Sequence, residues 1–170
     1  MAINEQKTGA FAPVLFSIVV VTYNSAATIV PCLTSVFATA EAGVEIVVVD
    51  NASRDNTVAL VRQLQSSISN CSLQLITNNT NNGFSVASNQ GISATSAPYL
   101  VLLNPDTVVT PFWLINLQQH LADPLVAAVG PVSNFAAQRQ SVVWHWHGPL
   151  PQGVSPVQAD EYLYATNQGK

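Results

Sequence analysis

Runs rich in Val, Ile and Leu recur along the chain: FSIVVVT (16–22), VEIVVVD (44–50), SLQLIT (72–77), PYLVLLN (98–104) and LVAAVG (125–130). Most are solidly apolar rather than alternating, the pattern of strands covered on both faces. The segments between them carry helical spacing. Within 25–42, Val30, Leu33, Val36 and Phe37 share one face, with Pro31 close enough to the start to be tolerated. Within 53–67, Ser53 offers a cap ahead of Val58, Val61, Leu64 and Gln65. A short helix of small residues is predicted over 83–95, and Thr110 followed by Pro111 predicts a helix start for 110–123. The alternation predicts an α/β fold: a Rossmann-like, mainly parallel sheet with helices on both faces. From about Ser133 the periodicity fails. The chain therefore divides into an N-terminal extension (1–14), a principal domain (15–135) and a tail or incomplete region (136–170).

In such sheets ligands bind beyond the carboxyl ends of the strands. The first strand ends in Thr22-Tyr23-Asn24 and the second in Asp50-Asn51-Ala52-Ser53. The third is followed by NNTNNGF (78–84) and the fourth by Asn104-Pro105-Asp106. Singly, each has a plain structural reading: Asp50 as a helix cap, Asp106 as a turn residue, the Asn-rich stretch as a loop. Together they bring a hydroxyl, an aromatic ring, several amides and two carboxylates to one edge. Neither the dinucleotide-binding glycine fingerprint nor the phosphate-binding loop follows the first strand.

Composition sharpens that picture. Charged residues are 8% of the 170, against roughly 25% in ordinary soluble domains. Five Lys and Arg and a net charge of −4 leave no basic footprint, which argues against a nucleic-acid partner. They also leave few cations to neutralise a diphosphate. A divalent metal on a hard oxygen ligand supplies that charge instead, and Asp106 is the candidate ligand. A carboxylate such as Asp50 can accept a hydrogen bond from a pyrimidine imide or a sugar hydroxyl. So sparse a charged surface also leaves open an interface with a partner domain or a second copy in a homo-oligomer.

No apolar run reaches the roughly 18 residues a membrane span needs. FAPVLFSIVVV (11–21) lacks a basic leader and a small-residue cleavage site, and reads as a buried strand. Cys32 and Cys71 are expected as reduced thiols of a cytoplasmic protein. The Asn-x-Ser/Thr tripeptides at 51, 70 and 78 are read as chance in an Asn-rich chain.

SIVVVTYN (17–24), EIVVVDNASRDNT (45–57), NNGFSVASNQGI (81–92) and YLVLLNPDT (99–107) resemble, in order and spacing, the nucleotide-binding portion of family 2 glycosyltransferases with the GT-A fold. The resemblance covers roughly residues 15 to 135. It lies nearest the rhamnosyltransferase-like branch, in which the usual Asp-x-Asp is written Asn-Pro-Asp. It implies that Thr22, Tyr23 and Asn24 lie by the base and ribose, and that Asp50 with Asn51 belongs to the nucleotide site, Asp50 facing the base. Gly83 and Asn89 would shape the wall near ribose and sugar, Asn104 would stand near the ribose, and Asp106 would hold Mg²⁺ or Mn²⁺. The implied donor is a dTDP- or UDP-linked sugar and the implied acceptor a saccharide or lipid-linked hydroxyl. The implied location is cytoplasmic, or peripheral at the inner face of the membrane, in cell-wall or polysaccharide synthesis.

The departures matter too. Inverting relatives carry a catalytic Asp further along, and the surroundings of Asp160-Glu161 do not resemble that motif, so no catalytic base is assigned. His145 and His147 are spaced to ligate a metal from a strand but read as surface or packing residues, as do Trp144 and Trp146. A non-catalytic nucleotide-binding or scaffolding module is the alternative expectation.

Overall fold

The computed structural model describes residues 15–40, 43–69, 71–131 and 158. It comprises two compact units, residues 1–108 and 109–170.

In the first unit, β1 (Phe16–Thr22), β2 (Val44–Asp50), β3 (Ser72–Thr77) and β4 (Tyr99–Leu103) form one sheet in the order β3-β2-β1-β4. Every pairing is parallel. The register matches Thr22 with Asp50 and Asp50 with Thr77, so three strands end at one level. The strand order reverses direction at β1, which lies between β2 and β4. That is the topological switch point where such sheets bind ligands.

The helices α1 (Ile29–Thr39), α2 (Thr57–Ser67) and α3 (Phe84–Ser93) make the crossovers. On one sheet face Val19, Val47 and Val49 pack with Ala87 of α3, edged by Val21 and Ile76. Alternation puts Ile18, Val20, Ile46 and Val48 on the other face, all fully buried. There α1 and α2, packed on each other, supply the buried Ile29, Cys32, Leu33, Val36 and Val61. The continuous β-branched runs of β1 and β2 are therefore covered on both sides, as predicted.

The edge strand β4 is not. Leu100 and Leu102 remain exposed although the run is as apolar as β1. The reason is that α3 packs on β1 and β2, and leaves the outer strand uncovered on that face.

Three helix starts also differ from the sequence pattern. α1 begins at Ile29 because Ser25–Thr28 form a turn closed by Thr28 N–H and Ile29 N–H donating to Ser25 O (3.0 and 2.9 Å). Pro31 is thus the third helical residue, where its missing N–H has no intrahelical partner to lose. Within α1, Val30 and Phe37 are only half-buried, and Ile29 and Cys32 take the inner face. α2 begins at Thr57, not beside Ser53, whose hydroxyl is engaged elsewhere; Gln65 is exposed and its amide donates to Leu73 O at 2.7 Å.

In the second unit α4 spans Trp113–His120. Phe112 takes a left-handed φ of 66° at its start, which breaks the right-handed run that a helix begun at Thr110-Pro111 requires. Residues 125–130 form no strand. Asp123 opens a turn, its backbone carbonyl accepting from Val126 N–H (3.0 Å) and its carboxylate from Leu125 N–H (2.9 Å).

Candidate functional site

At the carboxyl edge the loops after β1 and β2 interlock. Asn24, at φ 52°, donates its N–H to Ser53 Oγ (2.8 Å) and accepts from Arg54 N–H through Oδ1 (2.8 Å). Asn is among the few residues that adopt this conformation at little cost. Ser25 N–H donates to Thr57 Oγ1 (2.8 Å) and Ala26 N–H to Asp55 Oδ2 (3.0 Å). Asp55 also accepts from the Thr57 hydroxyl and Thr57 N–H (3.0 Å), and that hydroxyl bond holds its carboxyl below the ordinary range.

Asp50 lies inside this junction, 2% exposed. Its Oδ1 accepts from Thr22 Oγ1 (3.0 Å) and from the Ser53 hydroxyl, and its Oδ2 from Ser53 N–H (2.9 Å). A carboxylate has about four acceptor positions, so one on Oδ2 remains. Asp50 forms an Asx-type turn and does not cap α2. Tyr23, beside it, is half exposed.

The loop after β3 attaches through Asn51. Asn51 donates to Asn81 Oδ1 (2.8 Å) and Gly83 O (3.2 Å) and accepts from Asn82 N–H (3.2 Å). Gly83 precedes α3 at φ 85°, a conformation that suits glycine; a Cβ there would meet nothing, so backbone shape and not crowding selects it. Asn89 is exposed in the second turn of α3, roughly 9 Å along the helix axis from Gly83.

On the other side of β1 the Asn104–Thr107 turn is closed by Thr107 N–H donating to Asn104 O (3.2 Å). The buried Cys32 thiol of α1 donates to the same carbonyl (3.6 Å). Burial pushes this thiol up to about 11, with the Thr107 backbone bond opposing and the Asp106 charge adding. Asn104 and Asp106 are exposed, and the Asp106 carboxylate accepts no hydrogen bond among the described residues. Among those residues no three His, Cys, Asp or Glu gather into a metal-ligating group.

The structure thus joins Thr22, Asp50, Asn51 and Gly83 by direct hydrogen bonds, and ties Asn24 to Asp50 through Ser53. It brings Asn104 and Asp106 to the same edge on the neighbouring strand, and sets Asn89 farther back. The sequence reading missed Asp55 and Thr57, and it placed Ser53, Asn78 and Asn81 at this edge without the hydrogen bonds by which they shape the loops. The polar string SRDNT was the available signal. Trp144, His145, Trp146, His147, Asp160 and Glu161 lie outside the described residues.

The chain matches the model of glycosyl transferase family 2 over residues 17–164. The chain belongs to this family. It is 32% identical over 110 residues to the poly-beta-1,6-N-acetyl-D-glucosamine synthase of Staphylococcus aureus, covering 63% of this chain and 26% of that protein. It is 40% identical over 93 residues to the succinoglycan biosynthesis protein ExoO of Rhizobium meliloti, 55% of this chain and 26% of that one. The chain thus spans about a quarter of the length of these relatives. Among solved structures it superposes on a mannosyltransferase from Pyrobaculum calidifontis in complex with GDP-Man and Mn2+, with a TM-score of 0.67 and 28% identity over 72% of this chain and 36% of that one. The chain therefore has the GT-A-type fold that its motif resemblance implied, built on the mainly parallel sheet that its strand pattern predicted. Among the described residues no helix is long and apolar enough to cross a membrane.

Proposed function

We propose that the edge formed by β2, β1 and β4 binds the nucleoside diphosphate of an activated sugar, dTDP- or UDP-linked, for transfer of a hexose or deoxyhexose to a hydroxyl of a saccharide or lipid-linked acceptor. The rhamnosyltransferase type is the preferred subtype on the Asn-Pro-Asp motif, within a donor domain over 15–135. The reaction would take place on the cytoplasmic side, where the chain would be free or peripheral to the inner membrane face.

One observation carries this reading. Asp50 and Asp106 leave strands that flank β1, two ladder spacings or roughly 9–10 Å apart. That span suits a base at one end and a diphosphate at the other, with Thr22, Tyr23 and Asn24 between them. The free acceptor position on Asp50 Oδ2 suits the imide N–H of a pyrimidine.

Asp106 fits a hard divalent cation, because its exposed carboxylate accepts no hydrogen bond among the described residues. With no cluster of three metal-ligating side chains among the described residues, phosphate oxygens and water would complete the shell. A Mg²⁺ or Mn²⁺ ion held there would serve as Lewis acid toward the departing nucleoside diphosphate. The chain has only five Lys and Arg, of which Arg54 and Arg62 are among the described residues, and so sparse a supply favours a metal ion as the source of positive charge.

Calorimetric titration with UDP and dTDP, each with and without Mn²⁺, tests the reading. The expected result is metal-dependent binding of one nucleotide, lost in Asp106→Asn while the urea midpoint stays unchanged. Equal affinity in the variant would remove Asp106 from the site, and no binding by wild type at millimolar-order ligand would remove the donor site itself.

A further inference from the structure

The segment from Asn78 to Gly83 has no regular structure, yet one buried side chain dictates its course. Asn51 is 2% exposed. Its Nδ2 donates to Asn81 Oδ1 (2.8 Å) and Gly83 O (3.2 Å), and its Oδ1 accepts from Asn82 N–H (3.2 Å) and Asn78 Nδ2 (3.4 Å). A primary amide has two donors and two acceptor positions, and all four are filled. The partners are themselves tied down. Asn81 Oδ1 also accepts from Gly83 N–H (2.9 Å), and Asn78 Nδ2 donates to Gln90 Oε1 of α3 (2.9 Å). The Asn51 backbone is fixed in turn, its N–H donating to Thr22 O at 2.8 Å.

We propose that Asn51 is a positioning residue: it touches no nucleotide, and it holds the Asn78–Gly83 loop and the turn at Gly83 in the shape of one wall of the donor site. This rests on the donor-site reading above and revises the expectation that Asn51 itself contacts the nucleotide.

The role requires an amide. A carboxylate at position 51 would set an acceptor against both Asn81 Oδ1 and Gly83 O. Flipping the Asn81 amide would relieve the first clash but would leave Gly83 N–H without its acceptor. Protonating the new acid would restore one donor.

Asn51→Asp should therefore speed hydrogen exchange at the Asn82 and Gly83 amides and weaken UDP or dTDP binding roughly tenfold, the scale of one or two lost hydrogen bonds. Its affinity should partly recover below about pH 5, as the acid regains a proton; wild type should show no such recovery. Asn81→Ala, at an exposed position, keeps the test readable should the Asn51 variants not fold. It should weaken binding as well, and Asn51→Ala combined with it should lose less than the sum of the two. Tight binding by Asn51→Asp or by Asn81→Ala, beside a wild type that binds, would overturn this proposal alone. A wild type that binds neither nucleotide would overturn the donor-site reading and this one with it.

Discussion

Thr22 and Asp50 are register partners at the last rung of the β1–β2 ladder, and the hydroxyl of one donates to the carboxylate of the other at 3.0 Å. Both are at least 98% buried. The pair ends an apolar ladder in a fixed hydrogen-bond acceptor, with its orientation set by Thr22 on one side and Ser53 on the other. Thr22→Val keeps the shape and deletes the donor. It should lower the unfolding free energy by about 1–3 kcal/mol, the usual cost of leaving a buried charged acceptor short of one partner. It should also loosen nucleotide binding by freeing the carboxylate to rotate. Urea denaturation with an unchanged slope checks the first effect, and an unaltered midpoint would mean that Ser53 alone holds Asp50.

A good part of this edge was legible in the sequence because β1 and β2 each carry an Ile-Val-Val-Val run that leads into a polar end. An apolar run of that kind cannot be a half-exposed strand without penalty, so its position at the sheet centre follows. The same argument over-reads β4, since YLVLL is equally apolar and α3 simply does not reach it. The loops were less legible. Asn51 adjoins Asp50 in the chain and looks equally available, but its amide is occupied by Asn81 and Gly83, 30 and 32 residues away. No local pattern announces such long-range satisfaction. Ser53 was misread for a related reason: its hydroxyl can cap a helix or close an Asx-type turn, and only the neighbouring Asn24 loop decides which.

At the opposite end of the sheet, Glu45 binds the connection between α3 and β4. It accepts from the Ser17 hydroxyl, Ser96 N–H (2.7 Å) and Ala97 N–H (3.3 Å). Burial pushes its carboxyl up, but these hydrogen bonds outweigh that and leave it below the ordinary range. A carboxyl lowered in the folded state adds stability above its unfolded value near 4.5, and loses it as pH falls through the folded value. Urea unfolding followed from about pH 6 to about pH 3 should show this acid limb in wild type and a shallower one in Glu45→Gln. Identical limbs would assign the acid sensitivity to other carboxylates.

The two thiols should behave alike in kind and differently in rate. Cys32 is fully buried with its thiol raised to about 11, and Cys71 is partly exposed with a thiol that burial also raises. A thiol raised in the folded state adds stability that is complete below its unfolded value of 9.0 and is lost as pH climbs towards about 11. Native protein should therefore label at Cys71 first, and Cys32 only on unfolding, because reagents need an accessible thiolate. Cys32→Ala should flatten the alkaline limb of the stability curve. Labelling of Cys32 in the native state, at a rate matching Cys71, would show that the α1 contact with the Asn104 carbonyl opens readily.

Gly91 shows why α3 can lie so close to the sheet. Its backbone is outside the left-handed region, so conformational freedom does not explain a glycine there. Space does: an added Cβ would sit 2.4 Å from Val19 Cγ1 and 3.1 Å from Val49 Cγ2. Both valines are buried in the cluster that Ala87 completes, which leaves neither room to retreat. Gly91→Ala gains up to about 1 kcal/mol of helix propensity and loses about 1–3 kcal/mol to overpacking. The net expectation is a lower urea midpoint, with the damage passed along α3 to Gly83 and hence to the wall of the donor site. Nucleotide affinity should fall with stability in this variant, although residue 91 is a full two turns of helix from that wall. A raised midpoint would mean that Val19 rotates aside and that α3 is not held by close contact.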